Sequence, residues 1–177
     1  LLEESGWTDT DGDGYVDKDG QKLSINWLTY PTRLEQPKLA EYAQATLKDI
    51  GIDVVVNNTS DHMTIAKNGD FDVYVSSTTT APTGDPEYFF TSTVTGAKNY
   101  GNYQNEEVTK LTDQLHQTFD KDERAKLAVE LQQDILDDDA FFFVSHLNMG
   151  IVTKSNVTGM AAHPCDYYEI TADLDVE

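Results

Sequence analysis

Residues 47–58 read LKDIGIDVVVNN, and this stretch decides the fold. Its first half closes a helix. Leu39, Ala43, Leu47 and Ile50 recur at helical spacing from about Pro37 onward, and Gly51 supplies the stop. Its second half, IDVVVNN, is rich in β-branched residues and reads as a strand. Upstream, Leu23, Ile25 and Trp27 alternate with Ser24 and Asn26, the period of a half-buried strand. Downstream, a short helix is expected over 62–67 and a third strand in FDVYVSS, 71–77. Strand, helix, strand, helix, strand implies right-handed crossovers and a mainly parallel sheet. The expected fold class is α/β: a three-layer-like lobe with a mainly parallel, mixed β-sheet flanked by helices.

The second half of the chain is patterned differently. Thr78 to Thr83 form a polar loop, and Asp85 caps a short helix opened by Pro86. NYGNYQN, 99–105, is another loop, whose Asn105 caps a helix bearing Val108, Leu111, Leu115 and Phe119. Asp120 and Glu123 form a capping-box pair for a helix that buries Leu127, Leu131 and Ile135 and ends in the acidic run 137–139. AFFFVSHL, 140–147, and MGIVTK, 149–154, read as two more strands. From Ala161 onward no period is visible.

Charge excludes several functions. Twelve basic residues against thirty-two acidic ones leave a net charge of -20 over 177 residues. Phosphate contacts need Lys and Arg, so nucleic acid is excluded as a partner, and anionic membrane surfaces are disfavoured. The longest apolar run, Ala140 to Val144, is too short to cross a bilayer. The opening LLEESGW lacks a basic, apolar leader and suggests an excised fragment. His62, His116, His146 and His163 show no zinc spacing, and neither a GxSxG elbow nor a P-loop is present. Cys165 reads as a lone, unreactive thiol.

DTDGDGYVD, 9–17, looks like the opening of a calcium loop. Asp9, Asp11 and Asp13 fall at the first, third and fifth ligand places and Asp17 at the ninth, but the twelfth place is Gly20 where a bidentate Glu belongs. No helix pattern follows. The alternatives are a solvated acidic turn feeding a hairpin closed by KDGQ, 18–21, and a calcium ion held as a structural clip.

Two further loops, STTTAPTGDPEYFF at 77–90 and KNYGNYQNEEV at 98–108, are rich in hydroxyl, amide and aromatic groups, the usual lining of a small-molecule pocket. With them the chain resembles the C-terminal part of a bacterial extracellular solute-binding protein of the peptide/nickel class, family 5. The likeness runs through LLEESGWTDTDGDGYVDKDGQKL, LKDIGIDVVV, GDFDVYV, GDPEYFF, NYGNYQNEEVTKL, ERAKLAVELQQDILDDD and SNVTG, in that order.

The resemblance implies a receptor without catalysis, feeding an ABC permease from the extracellular face or periplasm and lipid-anchored in its full length. Residues 1–165 would form the C-terminal lobe, and 166–177 would return to a missing N-terminal lobe. Peptide-binding relatives place an acid just before the GDP helix to hold an α-amino group, and Thr78 to Thr83 contain none. A nickel chelate is therefore the favoured ligand and a short peptide the second. The likeness is closest to members labelled nickel-binding, through the ending MAAHPCDYYEIT, where His163 is the expected nickel ligand. Thr79 and Thr80 would donate hydrogen bonds to ligand, and Tyr100 and Tyr103 would stack or hydrogen-bond. Asp85, on the same surface, serves as a cap more than as a contact. The rival reading is a calcium-stabilised surface interaction module built on Asp9, Asp11, Asp13 and Asp17.

Overall fold

The helix–strand joint at 47–58 is present. A computed structural model describes residues 1–148, 150–162 and 170–177, which divide into two compact units, Leu1–Ser77 and Thr78–Glu177. In the first unit a hairpin pairs β1 (Asp17–Lys18) with β2 (Gln21–Lys22). Both turn residues have positive φ, 54° at Asp19 and 75° at Gly20, as a tight primed turn requires. Then follow β3 (Ser24–Thr29), α1 (Glu35–Lys48), β4 (Asp53–Asn58), α2 (His62–Asn68) and β5 (Val73–Tyr74).

The three longer-range strands form a parallel sheet in the order β4-β3-β5, with β3 and β4 in register from Ser24 opposite Asp53 to Thr29 opposite Asn58. The third strand is shorter than its sequence suggests. Its ladder is extended slightly by Asp72 N donating to Asn26 O and Val75 N donating to Leu28 O. Leu28, Val54, Ala40 and Ala66 are buried between sheet and helices. Leu39, Ala43 and Leu47 are half-buried on α1. Ile50 is a correction: the helix stops at Lys48, so Ile50 falls off its apolar face and is exposed.

Gly51 is required for two reasons. Its φ is 80°, and a Cβ there would lie 3.0 Å from Val16 Cγ1. The close approach lets Val16 N donate to Gly51 O at 2.7 Å, tying the acidic turn to the end of α1.

The second unit is built on helices. α3 (Glu87–Phe89) runs into a π-helical turn, Phe90–Val94, closed by Thr95 N donating to Phe90 O. α4 (Glu106–Gln117) and α5 (Lys121–Asp137) follow. Asn105 accepts from Glu107 N and Val108 N, and Asp120 from Asp122 N and Glu123 N, so both residues act as N-caps, the Asp120 arm of the expected capping box included. Phe90, Val94, Val108, Leu111, Leu115, Leu127, Leu131 and Ile135 make one core. Phe119 does not join it, because α4 ends at Gln117 and the ring is 93% exposed.

The two strands expected at 140–147 and 149–154 are absent among the described residues. An apolar run reports a wish for burial, whereas a strand also needs a neighbour to share its ladder. Here Phe141 and Phe143 pack edge-on to Phe89, while Phe142 is exposed. Short β6 (Val157–Thr158) and β7 (Asp175–Val176) pair antiparallel instead. Among the described residues no helix is long and apolar enough to cross a membrane.

Candidate functional site

The second unit carries an open polar depression of about 750 Å³, walled by the loop before α4 and the first turns of that helix. Asn99, Tyr103, Gln104, Asn105, Lys110 and Asp113 line it, over a floor that includes Val94 and Val108. The loop is shaped by its own side chains. Asn99 Nδ2 donates to Tyr103 O at 2.8 Å, and Asn99 Oδ1 accepts from Tyr103 N at 3.0 Å. Asn102 supplies a left-handed residue, φ 52°, at the reversal.

Asp138 pins the loop from the far end of α5. Its Oδ2 accepts from Tyr103 Oη at 2.6 Å and from Asn105 Nδ2 at 2.7 Å. These two donors hold the Asp138 carboxyl below its ordinary pKa. Burial, reinforced by the Asp138 bond, pushes the Tyr103 phenol up to about 12, so it stays a neutral donor. The acidic run at the end of α5 thus contributes a specific anchor, although it reads in sequence as a solvated helix end. Tyr103 lines the depression, but its hydroxyl is engaged by Asp138 and its backbone N–H and carbonyl by Asn99. Tyr100 is half-buried in the same loop.

The other loop leads into α3. Thr79 is half-buried and Thr80 exposed. Asp85 caps as expected, its Oδ1 accepting from Glu87 N at 2.9 Å. It also meets Arg124 of α5, whose Nε and Nη2 donate to Oδ2 and Oδ1 at 3.0 and 2.6 Å. Arg124 Nη2 reaches Glu87 Oε2 at 2.8 Å, and Nη1 donates to Leu115 O and Thr118 O at the end of α4. The guanidinium holds both carboxyls below their ordinary range, helped at Glu87 by His116. No local pattern singles out Arg124, because its partner lies 39 residues away.

In the first unit the acidic turn closes on itself. Carboxylate oxygens of Asp9, Asp11 and Asp17 lie within 4.8 Å of one another. Asp9 accepts from Gly12 N and Gly14 N, Asp11 from Asp13 N, and Asp13 from Tyr15 N. Asp17 takes the hydroxyl and N–H of Thr10, which lower its pKa. Hard carboxylate oxygens converging in this way suit a calcium ion chemically, with Asp13 outside the close trio. His163 and Cys165 lie outside the described residues.

The profile described as bacterial extracellular solute-binding proteins, family 5 Middle, matches residues 1–101. The oligopeptide-binding protein AppA of Bacillus subtilis is 30% identical over 176 residues, covering 96% of this chain and 32% of that protein. The chain thus spans about a third of that relative's length, 32%. A nickel ABC transporter structure from Bacillus halodurans superposes with TM-score 0.68 at 35% identity, covering 78% of this chain and 29% of that one. NikA from Staphylococcus aureus, solved with Ni(L-His)2, gives TM-score 0.70 at 26% identity, covering 88% and 34%.

Proposed function

The chain belongs to the bacterial extracellular solute-binding proteins of family 5, and from that membership we propose that it is the solute-binding component, in part, of an ABC importer. In this reading residues 1–165 are the C-terminal lobe of a two-lobed receptor and 166–177 return to the N-terminal lobe. The receptor works at the extracellular face or in the periplasm, held by a lipid, and closes on a small solute before passing it to a permease.

The observation that carries this reading is the polar depression beside α4. Amides, threonine hydroxyls, a lysine and the carboxylates of Glu106 and Asp113 line it together with the apolar Val94 and Val108, a composition that suits a small polar ligand. Its loop is held by Asn99 and Asp138 before any ligand arrives, which lowers the ordering cost of binding.

A nickel chelate is the favoured solute and an oligopeptide the alternative. A peptide's α-amino group wants a free carboxylate. Loop 78–83 has none and Asp85 beside it is committed to Arg124, whereas Glu106 and Asp113 at the depression keep the oligopeptide as the alternative. Thr79, Thr80, Tyr100 and Tyr103 supply hydrogen bonds and ring faces, and His163 supplies an imidazole for the metal. Relatives of both kinds, the oligopeptide-binding AppA and the NikA solved with Ni(L-His)2, resemble this chain. The acidic turn stands apart from the solute, as a solvated turn or, in the alternative reading, as a calcium clip.

Calorimetric titration of the two-lobed receptor with nickel plus L-histidine, then with short peptides, tests the assignment. Heat with the nickel complex is expected, weakened by His163→Ala. Heat from peptides alone overturns the metal preference, and heat from neither overturns both solutes.

A further inference from the structure

We propose that Arg124 is a positioning residue for ligand: it fixes Asp85 and, through it, the downstream end of the polar loop 78–84. This rests on the reading that Thr79 and Thr80 of that loop face the solute.

The loop has little to hold it internally. Among the described residues its backbone is closed by one turn, Gly84 N donating to Ala81 O at 3.0 Å. The next fixed point is Asp85, and the fixing is unusually thorough. The carboxylate is gripped by two guanidinium nitrogens while its Oδ1 also caps the Glu87 amide. Arg124 in turn is immobilised from three directions. Nη2 shares itself between Asp85 and Glu87, Nη1 closes the last carbonyls of α4, and the side chain itself rises from the first turn of α5. Arg124 is 15% exposed, while the Asp85 side chain is 40% exposed, so water reaches the pair from the Asp85 side.

The arrangement demands arginine. A planar fork reaches two oxygens of one carboxylate and keeps donors for other acceptors, whereas a lysine ammonium is a point charge that cannot span them. A helix cap alone would need only Asp85, and an α4 C-terminus alone would need only the carbonyl contacts. One residue joins both to the loop. A change in the α4–α5 pair therefore moves the loop's anchor with it.

The test separates loop order from ligand binding. Backbone 15N relaxation on the 177-residue chain reads the loop directly. With Arg124→Met, order parameters of residues 80–85 are expected to fall from about 0.85 toward about 0.6, while α4 and α5 stay rigid. Arg124→Lys should fall between. Asp85→Asn keeps the cap acceptor and leaves Arg124 its bonds to Glu87, Leu115 and Thr118, so it carries the test if Arg124→Met does not fold. Unchanged loop order in Asp85→Asn, or a loop already disordered in the unmodified chain, overturns the proposal. Affinity is read separately, with nickel plus L-histidine and with a nonapeptide, on the two-lobed receptor. Asp85→Asn is expected to weaken the productive ligand about tenfold through faster release, read at a temperature well below the variant's own, somewhat lowered, melt. A loosened loop with unaltered affinity removes the loop from the site and the positioning role with it. If the unmodified receptor binds neither probe, the function reading fails while the relaxation result still decides the anchor.

Discussion

The two units solve the same problem by different means. In Leu1–Ser77 order comes from the backbone: a parallel ladder, with Leu28 and Val54 buried and crossovers laid across it. Outside the acidic turn its polar side chains add to that ladder, as Asp72 does on Asn26 N and Gln44 on Val54 O, and Trp27 Nε1, Thr29 Oγ1 and Gln36 Oε1 are buried there without a hydrogen-bond partner among the described residues. In Thr78–Glu177 the backbone supplies helices, but the loops between them are set by side chains: Asn99 on Tyr103, Asp138 on Tyr103 and Asn105, Arg124 on Asp85 and Glu87. A ladder makes a rigid frame and leaves little freedom to place a loop. Side-chain anchors place loops individually, which suits the proposed role of these loops as a binding surface.

The sharpest way to break this comparison is at the helical core. Leu131 is fully buried, and Leu131→Ala should cost about 2–5 kcal/mol. Urea melting measures the loss. Hydrogen exchange should show it in α4 and α5, with β3 and β4 amides still protected. Equal loss of protection in the sheet would mean the two units share one stability.

The frame has its own weak point at Gly51. Gly51→Ala forces a side chain into left-handed backbone, about 1–2 kcal/mol, and adds the clash with Val16. Gly20→Ala is the control, because its φ of 75° is similar but a Cβ there meets nothing within 4 Å. Equal melting temperatures for the two variants would show that the Val16 approach contributes nothing.

Acid should act first on the anchored unit. Asp85 and Glu87 have folded pKa values below their ordinary ones, Arg124 being the largest cause. The unfolded chain therefore binds protons first, so this stabilisation is present above about pH 4 and disappears as pH falls through the depressed values. Thermal melts from pH 6 downward should steepen below about pH 4, and Arg124→Met should flatten that slope. An unchanged slope in the variant would assign the acid sensitivity to other carboxylates.

The smallest effect is expected at the acidic turn. Calcium that binds only the folded chain raises the melting temperature by mass action, and chelator reverses it. Asp11→Asn should reduce the shift. A large calcium dependence of the whole melt would instead favour the calcium-stabilised interaction module over the receptor.

Much of the sheet was legible because its signals are local. The alternation at 23–27, the β-branched run at 52–58 and the glycine between helix and strand each reflect backbone preferences of neighbouring residues. The helix caps Asn105 and Asp120 were legible for the same reason, since a cap and its amides lie two or three residues apart. The run at 140–147 misled because apolar character does not supply a ladder partner. Phe119 and Ile50 misled because their helices stop two residues too soon.

By itself, the sequence determined the alternation of strands and helices, the turns, the caps, the acidic surface and the kinship with the family-5 receptors. Only the tertiary structure decided which polar groups are spent on holding loops and which remain for a ligand. Asp85, Arg124, Asp138 and Tyr103 meet across 35 to 39 residues of chain. Such meetings are set by how helices pack, and no short stretch of sequence encodes them.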